Sequence, residues 1–532
     1  MKRIFALVLV LTLVASLFAG CGSDDKAYVP TGDALLMEGE DPPEEVDPNA
    51  KPQEFSLAYY PERDLNPLTS TDYTNRALFS LIYQGLFSVD QAYETVPILC
   101  SSYQISPDNK TWTFYIEDAT FSDGTTVTIE DVFATYEAAQ TRSDEFTSYY
   151  SGRFTHVVDM YLTEDGGIEF FLNTPFENFA MLLDIPILKQ SEITSSRPLG
   201  TGPYILTESL AGAQLRRNFS WWCGETELVV TAESIPLIQA KSETFIRDQF
   251  EFYDVGVVCA NPCSDAYADY RCDYELWDCE NGVMLYLGFN IEYAQDEFFE
   301  DPKLRTAFTY AIDRERLVEE YYNGLAQPAT LPVSPSFPYY SKTLAANYEY
   351  NSMKFIEVLS RIDLPKEPLR LIVNKDDSVR LKVADDIAAT LTEYGLPTEV
   401  KAYNSNTFAA VYYSGNFDMY LGQVRLSSNM DLSSFYGPLG SLHFNGTHDA
   451  ATYSLCKDAL ANKGNYYNLH QRVMEDGRIC PILFHSYTIY ALRGLVTDLR
   501  PSRDNVFFYP LAKTMESIQI PTDYGLDEEA SG

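Results

Sequence analysis

LRLIVNKDDSVRLKVADDIAATLTEYGLPTEVKA, residues 369–402, has the pattern of a β-α-β unit. Leu369–Val373 is a continuous apolar run, which predicts a buried strand. The next apolar side chains recur every four positions, at Val379, Val383, Ile387 and Leu391. That spacing predicts a helix, which Ser378 caps and Gly395 ends just after its last turn. Thr398–Ala402 predicts the returning strand, so this stretch indicates an α/β fold.

The same alternation of strands and helices continues on both sides of this unit. Phe417–Leu421 predicts a third strand, and Asp301 and Asp313 predict the N-caps of two consecutive helices. Nearer the start, strands are predicted at Phe55–Tyr59 and Trp112–Ile116, and helices at Asn75–Phe87 and after Thr128. The alternation predicts an α/β architecture along the whole chain.

Composition excludes several classes of protein. The chain has 532 residues, of which 45% are apolar, so it is not wholly disordered. Its length, about three times a usual domain of roughly 150 residues, predicts several lobes. With 38 Lys and Arg against 77 Asp and Glu, the net charge is −39, which repels phosphate backbones. We therefore expect no nucleic-acid partner.

The first residues have the features of an export signal. Lys2 and Arg3 precede the apolar run Ile4–Leu17, which is short for a membrane span of about 20 residues. Leu17–Cys21, LFAGC, resembles a bacterial lipobox, in which the cysteine is diacylated and becomes the new N-terminus. We expect residues 1–20 to be a signal peptide and Cys21 to be lipidated; cleavage of a plain signal peptide nearby is the alternative.

Two terminal segments have the composition of tethers. Residues 21–53 are rich in Asp, Glu, Pro and Gly and lack apolar periodicity. Such a segment buries too little apolar surface to offset its ordering entropy, so it predicts an acidic tether after Cys21. Residues 521–532 predict a short acidic tail.

The cysteine pattern favours disulfides. The chain has nine cysteines, and eight remain when Cys21 is set aside. An even number in an exported chain favours bridges. Four cysteines fall in a stretch with loop composition, at Cys259, Cys263, Cys272 and Cys279. We expect bridges among them with undetermined connectivity; free thiols are the alternative, and the spacing lacks the paired C-x-x-C of common zinc sites.

Motifs for catalysis are missing from the sequence. It contains no G-x-x-x-x-G-K-[ST], no H-E-x-x-H and no G-x-S-x-G. We therefore predict no catalytic residue, no metal site and no cofactor, and a protein that is not an enzyme. A surface hydrolase would need a triad, a metal cluster or a carboxylate pair in a cleft.

The chain contains an ordered set of short motifs that is more specific evidence than its composition. The motifs are Leu65–Leu68 (LNPL), Leu81–Phe87 (LIYQGLF), Ser106–Phe114 (SPDNKTWTF), Phe121–Thr125 (FSDGT), Thr128–Val132 (TIEDV), Pro198–Tyr204 (PLGTGPY), Tyr286–Asn290 (YLGFN), Leu304–Phe308 (LRTAF) and Tyr310–Arg314 (YAIDR). In order and spacing, this set resembles the extracytoplasmic solute-binding proteins of family 5, the peptide-, dipeptide- and nickel-binding receptors of ABC importers. The resemblance covers residues 54–515.

The resemblance implies a two-lobed clamshell of the periplasmic-binding-protein type (type II, peptide-binding class), with mixed sheets. Lobe one is expected at residues 54–286 and 486–520 and lobe two at 287–485, with crossings near Tyr286–Asn290 and Pro481–His485. Hinge closure around the ligand is the expected motion.

The same resemblance implies a receptor that delivers its ligand to a membrane permease. It is expected as a monomer on the outer face of the bacterial cytoplasmic membrane, held there by its lipid anchor. Oligopeptide is the leading ligand, and an oligosaccharide or a metal complex is the alternative.

One binding loop can be placed from the family pattern. Peptide receptors of the family often carry an acid-Pro-x-x-Phe run, with an Asp three residues earlier that pairs with the peptide amine. Here the run is Asp431–Phe435, with Leu432 in place of Pro, and Ser428 stands where that Asp is expected. A hydroxyl cannot neutralise an ammonium, whereas Arg425, three residues earlier, can clamp a carboxylate. The predicted ligand-binding residues are Arg425, Ser428, Asn429 and Asp431; a solvated Arg425 is the alternative.

Overall fold

The computed structural model describes most of the chain after the predicted tether. It covers residues 55–521 except 144–145, 211, 225, 227, 262–263, 265–269, 439, 443–446, 497–498 and 504. The predicted signal peptide, Cys21, the tether, Cys263 and nearly all of the acidic tail lie outside the described residues. Within those ranges, no helix combines the length and the apolar character required to cross a membrane.

The fold alternates strands and helices. The strands are β1 (Leu57–Tyr59), β2 (Phe87–Val89), β3 (Thr95–Pro97), β4 (Cys100–Ile105), β5 (Thr111–Ile116), β6 (Val157–Leu162), β7 (Ile168–Leu172), β8 (Tyr204–Ser209), β9 (Gly212–Arg217), β10 (Ser234–Gln239), β11 (Val257–Ala260), β12 (Tyr274–Phe289), β13 (Ala326–Pro328), β14 (Leu369–Asn374), β15 (Thr398–Tyr403), β16 (Met419–Arg425) and β17 (Ile479–Leu492). The helices are Tyr73–Arg76, Phe79–Ile82, Ile129–Ala139, Glu243–Glu251, Pro302–Ala311, Arg314–Tyr322, Lys342–Ala345, Ser352–Leu359, Ser378–Glu393, Ser405–Ser414, Ser433–Tyr436, Ala450–Ala461, Tyr466–Asp476 and Met515–Ile518.

One long mixed sheet runs through the molecule, in the order β15-β14-β16-β12-β17-β11-β1-β10-β9-β8, with β13 paired to β17. β14 is parallel to β15 and β16, whereas β12 is antiparallel to β16 and β17. A separate antiparallel sheet has the order β4-β5-β7-β6. The predicted α/β class with mixed sheets is confirmed.

The apolar side chains form two large cores, which define two lobes. The first lobe contains β1–β11 and the end of the chain, and its core includes Phe87, Phe114 and Phe170. The second lobe contains β13–β16 and the helices between Pro302 and Asp476, and its core includes Phe308. Only β12 and β17 have substantial lengths in both lobes among the described strands.

The two lobes exchange strands at a break in the pairing of β12 with β17. The register shifts between Glu280 and Met284 of β12, whose partners are Ser486 and Phe484. On the first-lobe side of the break, β17 also pairs with β11. On the second-lobe side, β12 pairs with β16. The crossing in β12 therefore lies a few residues before the predicted Tyr286–Asn290, because that apolar motif packs inside the second lobe.

Several local predictions are confirmed by the hydrogen bonds at helix ends. The caps at Thr128, Asp301 and Asp313 each accept a backbone N–H from the first turn of their helix. Gly395 has a left-handed φ of 94°, as predicted for the residue that ends the helix. One cap differs by a residue, because Asp377 rather than Ser378 accepts the N–H of Arg380.

The predicted helix Asn75–Phe87 is wrong in its second half. The chain forms two short helices and becomes extended at Tyr83. The carbonyl of Ile82 accepts the N–H of Gly202 at 2.8 Å, and the carbonyl of Gln84 accepts that of Ile187 at 2.9 Å. These bonds to distant residues replace the bonds that would continue the helix.

The structure also contradicts bridges among the described cysteines of the 259–279 stretch. Cys259, Cys272 and Cys279 form no disulfide with one another. Cys259 lies on β11 in the first-lobe core, whereas Cys272 packs on the opposite face of the sheet. Cys279 lies on β12, separated from β11 by β17. The Cα atoms of Cys279 and Cys259 are therefore at least two strand spacings of about 4.8 Å apart. This distance exceeds the Cα separation of roughly 7 Å that a disulfide tolerates.

Candidate functional site

A cavity of about 270 Å³ lies between the two lobes. The first lobe contributes Tyr149, Tyr150, Ser151, Gly152, Arg153, Thr155, His156, Phe176 and Leu182. The second lobe contributes Val424, Arg425, Leu426, Ser427, Asn429, Asp431, Ser434, Gly440, Ser441 and Leu442. Three of the four predicted binding residues therefore line this cavity, and Ser428 lies beside it.

Most of the first-lobe wall is the segment between the helix Ile129–Ala139 and β6, with Phe176 and Leu182 beyond β7. The backbone N–H of Tyr149 donates to the carbonyl of Leu68 at 2.6 Å. Arg76 supports the wall from behind, because its guanidinium donates to the Tyr150 hydroxyl at 3.2 Å and lies 3.7 Å from the centroid of the Tyr149 ring. These contacts hold two aromatic side chains at the cavity surface.

The second-lobe wall begins at the carboxyl end of β16. Ligand sites of open α/β sheets form beyond the carboxyl ends of parallel strands, and β16 is parallel to β14. Arg425, the last residue of β16, is half-buried at this edge. Its guanidinium carbon lies 4.8 Å from the centroid of the Tyr149 ring, which is a cation–π contact across the two lobes. Arg425 therefore faces the cavity between the lobes.

Ser428 and Asn429 have different surroundings. Ser428 is buried, and its hydroxyl lies 3.5 Å from Oδ2 of Asp184 in the first lobe. Asp184 also forms a buried salt bridge with Arg153. Asn429 is only 3% exposed, and its side-chain Nδ2 has no hydrogen-bond partner among the described residues. An unsatisfied buried donor on a cavity wall is suited to bind an acceptor on a ligand.

Asp431 is engaged by the first lobe. Its Oδ2 lies 3.3 Å from Nε2 of His156, and its Oδ1 accepts from the Ser433 hydroxyl at 2.7 Å. Burial lowers the pKa of His156, but the hydrogen bond and charge of Asp431 outweigh burial and raise it. Burial likewise raises the pKa of Asp431, and its bonds to His156 and Ser433 outweigh burial and lower it.

The charges of the cavity favour an anionic ligand group. Asp431 is the only carboxylate among the described lining residues, and His156 lies against it. Arg153 is paired with Asp184. Arg425 lies on the cavity wall against the Tyr149 ring, and the Asn429 amide has no hydrogen-bond partner among the described residues. A guanidinium and an amide are groups that bind carboxylate and carbonyl oxygens. No group of three His, Cys, Asp or Glu side chains in the described ranges is arranged to hold a metal ion.

Sequence reasoning did not find the first-lobe half of this site. Tyr149, Tyr150, Arg153 and His156 belong to the stretch FTSYYSGRFTH, residues 146–156. Aromatic and basic residues in a segment without helix or strand periodicity are the signal that would have identified it. Their position opposite Arg425 follows only from the packing of the lobes.

A comparison with protein families matches residues 94–446 to the family described as bacterial extracellular solute-binding proteins, family 5. A relative of curated function is the glutathione-binding protein GsiB of Escherichia coli O6:K15:H31 (strain 536 / UPEC). It is 24% identical over 362 residues, which cover 65% of this chain and 68% of the relative.

Solved structures with the same fold include two proteins in complex with small molecules or peptides. The oligopeptide-binding protein AppA from Bacillus subtilis, in complex with a nonapeptide, has a TM-score of 0.64 at 20% identity and covers 87% of this chain and 100% of its own. NikZ from Campylobacter jejuni, in complex with Ni(L-His), has a TM-score of 0.63 at 17% identity and covers 85% of this chain and 96% of its own. These structures confirm the predicted clamshell fold.

Proposed function

Since the chain belongs to the family 5 bacterial extracellular solute-binding proteins, we propose that it is the lipid-anchored oligopeptide receptor of an ABC importer. It is a solute-binding protein, and its relatives bind ligands rather than transform them. In this proposal the lobes close on a peptide in the cavity and deliver it to a membrane permease. Cys21 holds the receptor on the outer face of the cytoplasmic membrane.

The observation that carries the proposal is the pair of hydrogen-bond donors on the second-lobe wall. Arg425 presents a guanidinium against the Tyr149 ring, and Asn429 presents a buried amide without a partner among the described residues. Together they bind a carboxylate bidentately and a neighbouring carbonyl oxygen, and both groups occur in any peptide. The relatives that bind glutathione and a nonapeptide support this ligand class.

Arg425→Ala tests the assignment. The native protein is first purified, and the ligand that co-purifies is identified by mass spectrometry; we expect a peptide. Calorimetry then compares that peptide with its C-terminal amide on the wild type and on Arg425→Ala. A charge-assisted pair contributes about 1.5–3 kcal/mol, so the substitution should weaken binding of the free acid roughly tenfold to a hundredfold.

The amide provides the internal control. If Arg425 binds the carboxylate, Arg425→Ala weakens binding of the amide far less than that of the acid. Arg361→Ala, which removes an exposed guanidinium on the second lobe, should change neither affinity. Recovery of an oligosaccharide or of a nickel complex instead of a peptide would contradict the proposed ligand.

A further inference from the structure

His156 and Asp431 connect the two lobes beside the cavity. His156 precedes β6 and is 4% exposed, next to the first-lobe core residue Phe154. Asp431 lies between Met430 and Leu432, which belong to the second-lobe core. The contact of Nε2 with Oδ2 at 3.3 Å, and a second of 3.1 Å from Nε2 to the Ser433 hydroxyl, exist only while the lobes are together.

The surroundings of the ring favour imidazolium. Nδ1 of His156 lies 3.1 Å from the amide oxygen of Asn173, on the side of the ring away from Asp431. A neutral imidazole donates from one nitrogen only, whereas the charged form donates from both. The charged form thus satisfies the Asn173 oxygen and the Asp431 carboxylate at once.

Few charged groups of the described residues act on this contact. Lys457, on the helix Ala450–Ala461, opposes protonation of His156, and Asp431 favours it more strongly. Arg153, on the same segment, is paired with Asp184. The surrounding side chains of Tyr453, Cys456 and Tyr466 have raised pKa values. Burial is the largest cause and the negative charge of Asp431 is the second, so these groups remain neutral near pH 7.

The other described histidines do not share these properties. Burial lowers the pKa of His470 to about 3 and that of His485 to about 4, so neither changes charge near neutral pH. His448 is exposed, and its ring bonds to the carbonyl of Tyr436 within the second lobe. His156 is therefore the described histidine that contacts a carboxylate of the other lobe and has a raised pKa.

We propose that His156 and Asp431 form a pH-sensitive latch, in which a protonated His156 holds the lobes closed and loss of that proton favours opening. The latch would regulate opening and closing of the cleft in the proposed receptor. It rests on the proposed movement of the lobes but not on the identity of the ligand. Acidic conditions then favour retention of ligand, and alkaline conditions favour release.

The direction of the pH effect follows from the pKa of His156. It is raised in the closed form and returns toward the ordinary value of about 6.5 when opening removes Asp431. Closed protein therefore binds more protons than open protein between these two pKa values. The stabilisation of the closed form is complete below about pH 6.5 and is lost as the pH rises through the closed-state pKa.

Small-angle X-ray scattering of the ligand-free full chain, made soluble by Cys21→Ser, tests the latch. We expect the ratio of closed to open molecules to fall about threefold to tenfold between pH 6 and pH 9, since a charge-assisted hydrogen bond is roughly twice as strong as a neutral one. His156→Gln should abolish this response, while the matched exposed-site variant His448→Gln should retain it.

Asp431→Asn is the second variant, because it removes the partner's charge while keeping its shape. It should also abolish the pH response, and circular dichroism verifies that each variant is folded. A response in His156→Gln or Asp431→Asn equal to that of the wild type, or no response in the wild type, would overturn the latch. A failure to bind peptide would instead refute the proposed function, since the scattering experiment uses no ligand.

Discussion

At the scale of single residues, the described residues at the cavity offer no unpaired carboxylate for a peptide amine. Ser428 replaces the expected Asp, Asp431 is occupied by His156, and Asp184 is paired with Arg153. We therefore predict that N-acetylated and free forms of one peptide bind with dissociation constants within about threefold, whereas loss of a charged anchor changes affinity about tenfold or more. Calorimetry with the matched pair measures the ratio. Abolition of binding by acetylation would contradict the prediction and show that an acid holds the amine, with Asp431 as the first candidate.

At the scale of elements, a buried ion pair joins two helices of the second lobe. Arg305 on Pro302–Ala311 is 2% exposed, and its Nη2 lies 3.0 Å from Oδ1 of Asp476, at the end of Tyr466–Asp476. Arg305 also donates to the backbone carbonyls of Phe299 and Asp476. The motif residue Arg305 thus has a structural role and does not line the cavity.

We expect Arg305→Ala to lower the free energy of unfolding by about 1–3 kcal/mol, because it removes the donors to the buried carbonyls of Phe299 and Asp476, while Arg478 still pairs with the Asp476 carboxylate. The matched control is Arg361→Ala, whose exposed pair with Glu357 contributes at most about 0.5 kcal/mol. Urea denaturation of both variants gives the difference. A loss below about 1 kcal/mol for Arg305→Ala would contradict this role.

At the scale of the whole molecule, the proposed lipid anchor would hold the protein at the membrane. The predicted export signal ends in LFAGC, and acylation of Cys21 by two chains would be sufficient for stable membrane attachment. Cys21→Ser should move the protein from the membrane fraction into the medium, while Ser23→Ala, two residues away, should leave it in the membrane. Fractionation and immunoblotting measure the distribution. A Cys21→Ser protein that is processed and remains membrane-bound would refute lipidation.

The sequence alone determined the features that depend on neighbouring residues. The caps at Asp301 and Asp313 and the β-α-β unit around Ser378–Glu393 follow from hydrogen bonds and apolar spacing within one helix or strand. The ordered motifs identified the family for the same reason, since each motif is a local structure. The sequence also placed the predicted binding residues Arg425, Ser428, Asn429 and Asp431 close together, because one short segment at the end of β16 carries them all.

Only the tertiary structure decided which distant segments meet. The helix expected up to Phe87 ends early because the Ile82 carbonyl bonds to Gly202, and Cys259 is separated from Cys272 by the sheet itself. His156 and Asp431 are 275 residues apart in the chain, yet they form one contact between the lobes. Such pairings depend on how the cores of both lobes pack around β12 and β17, which no pattern of neighbouring residues records.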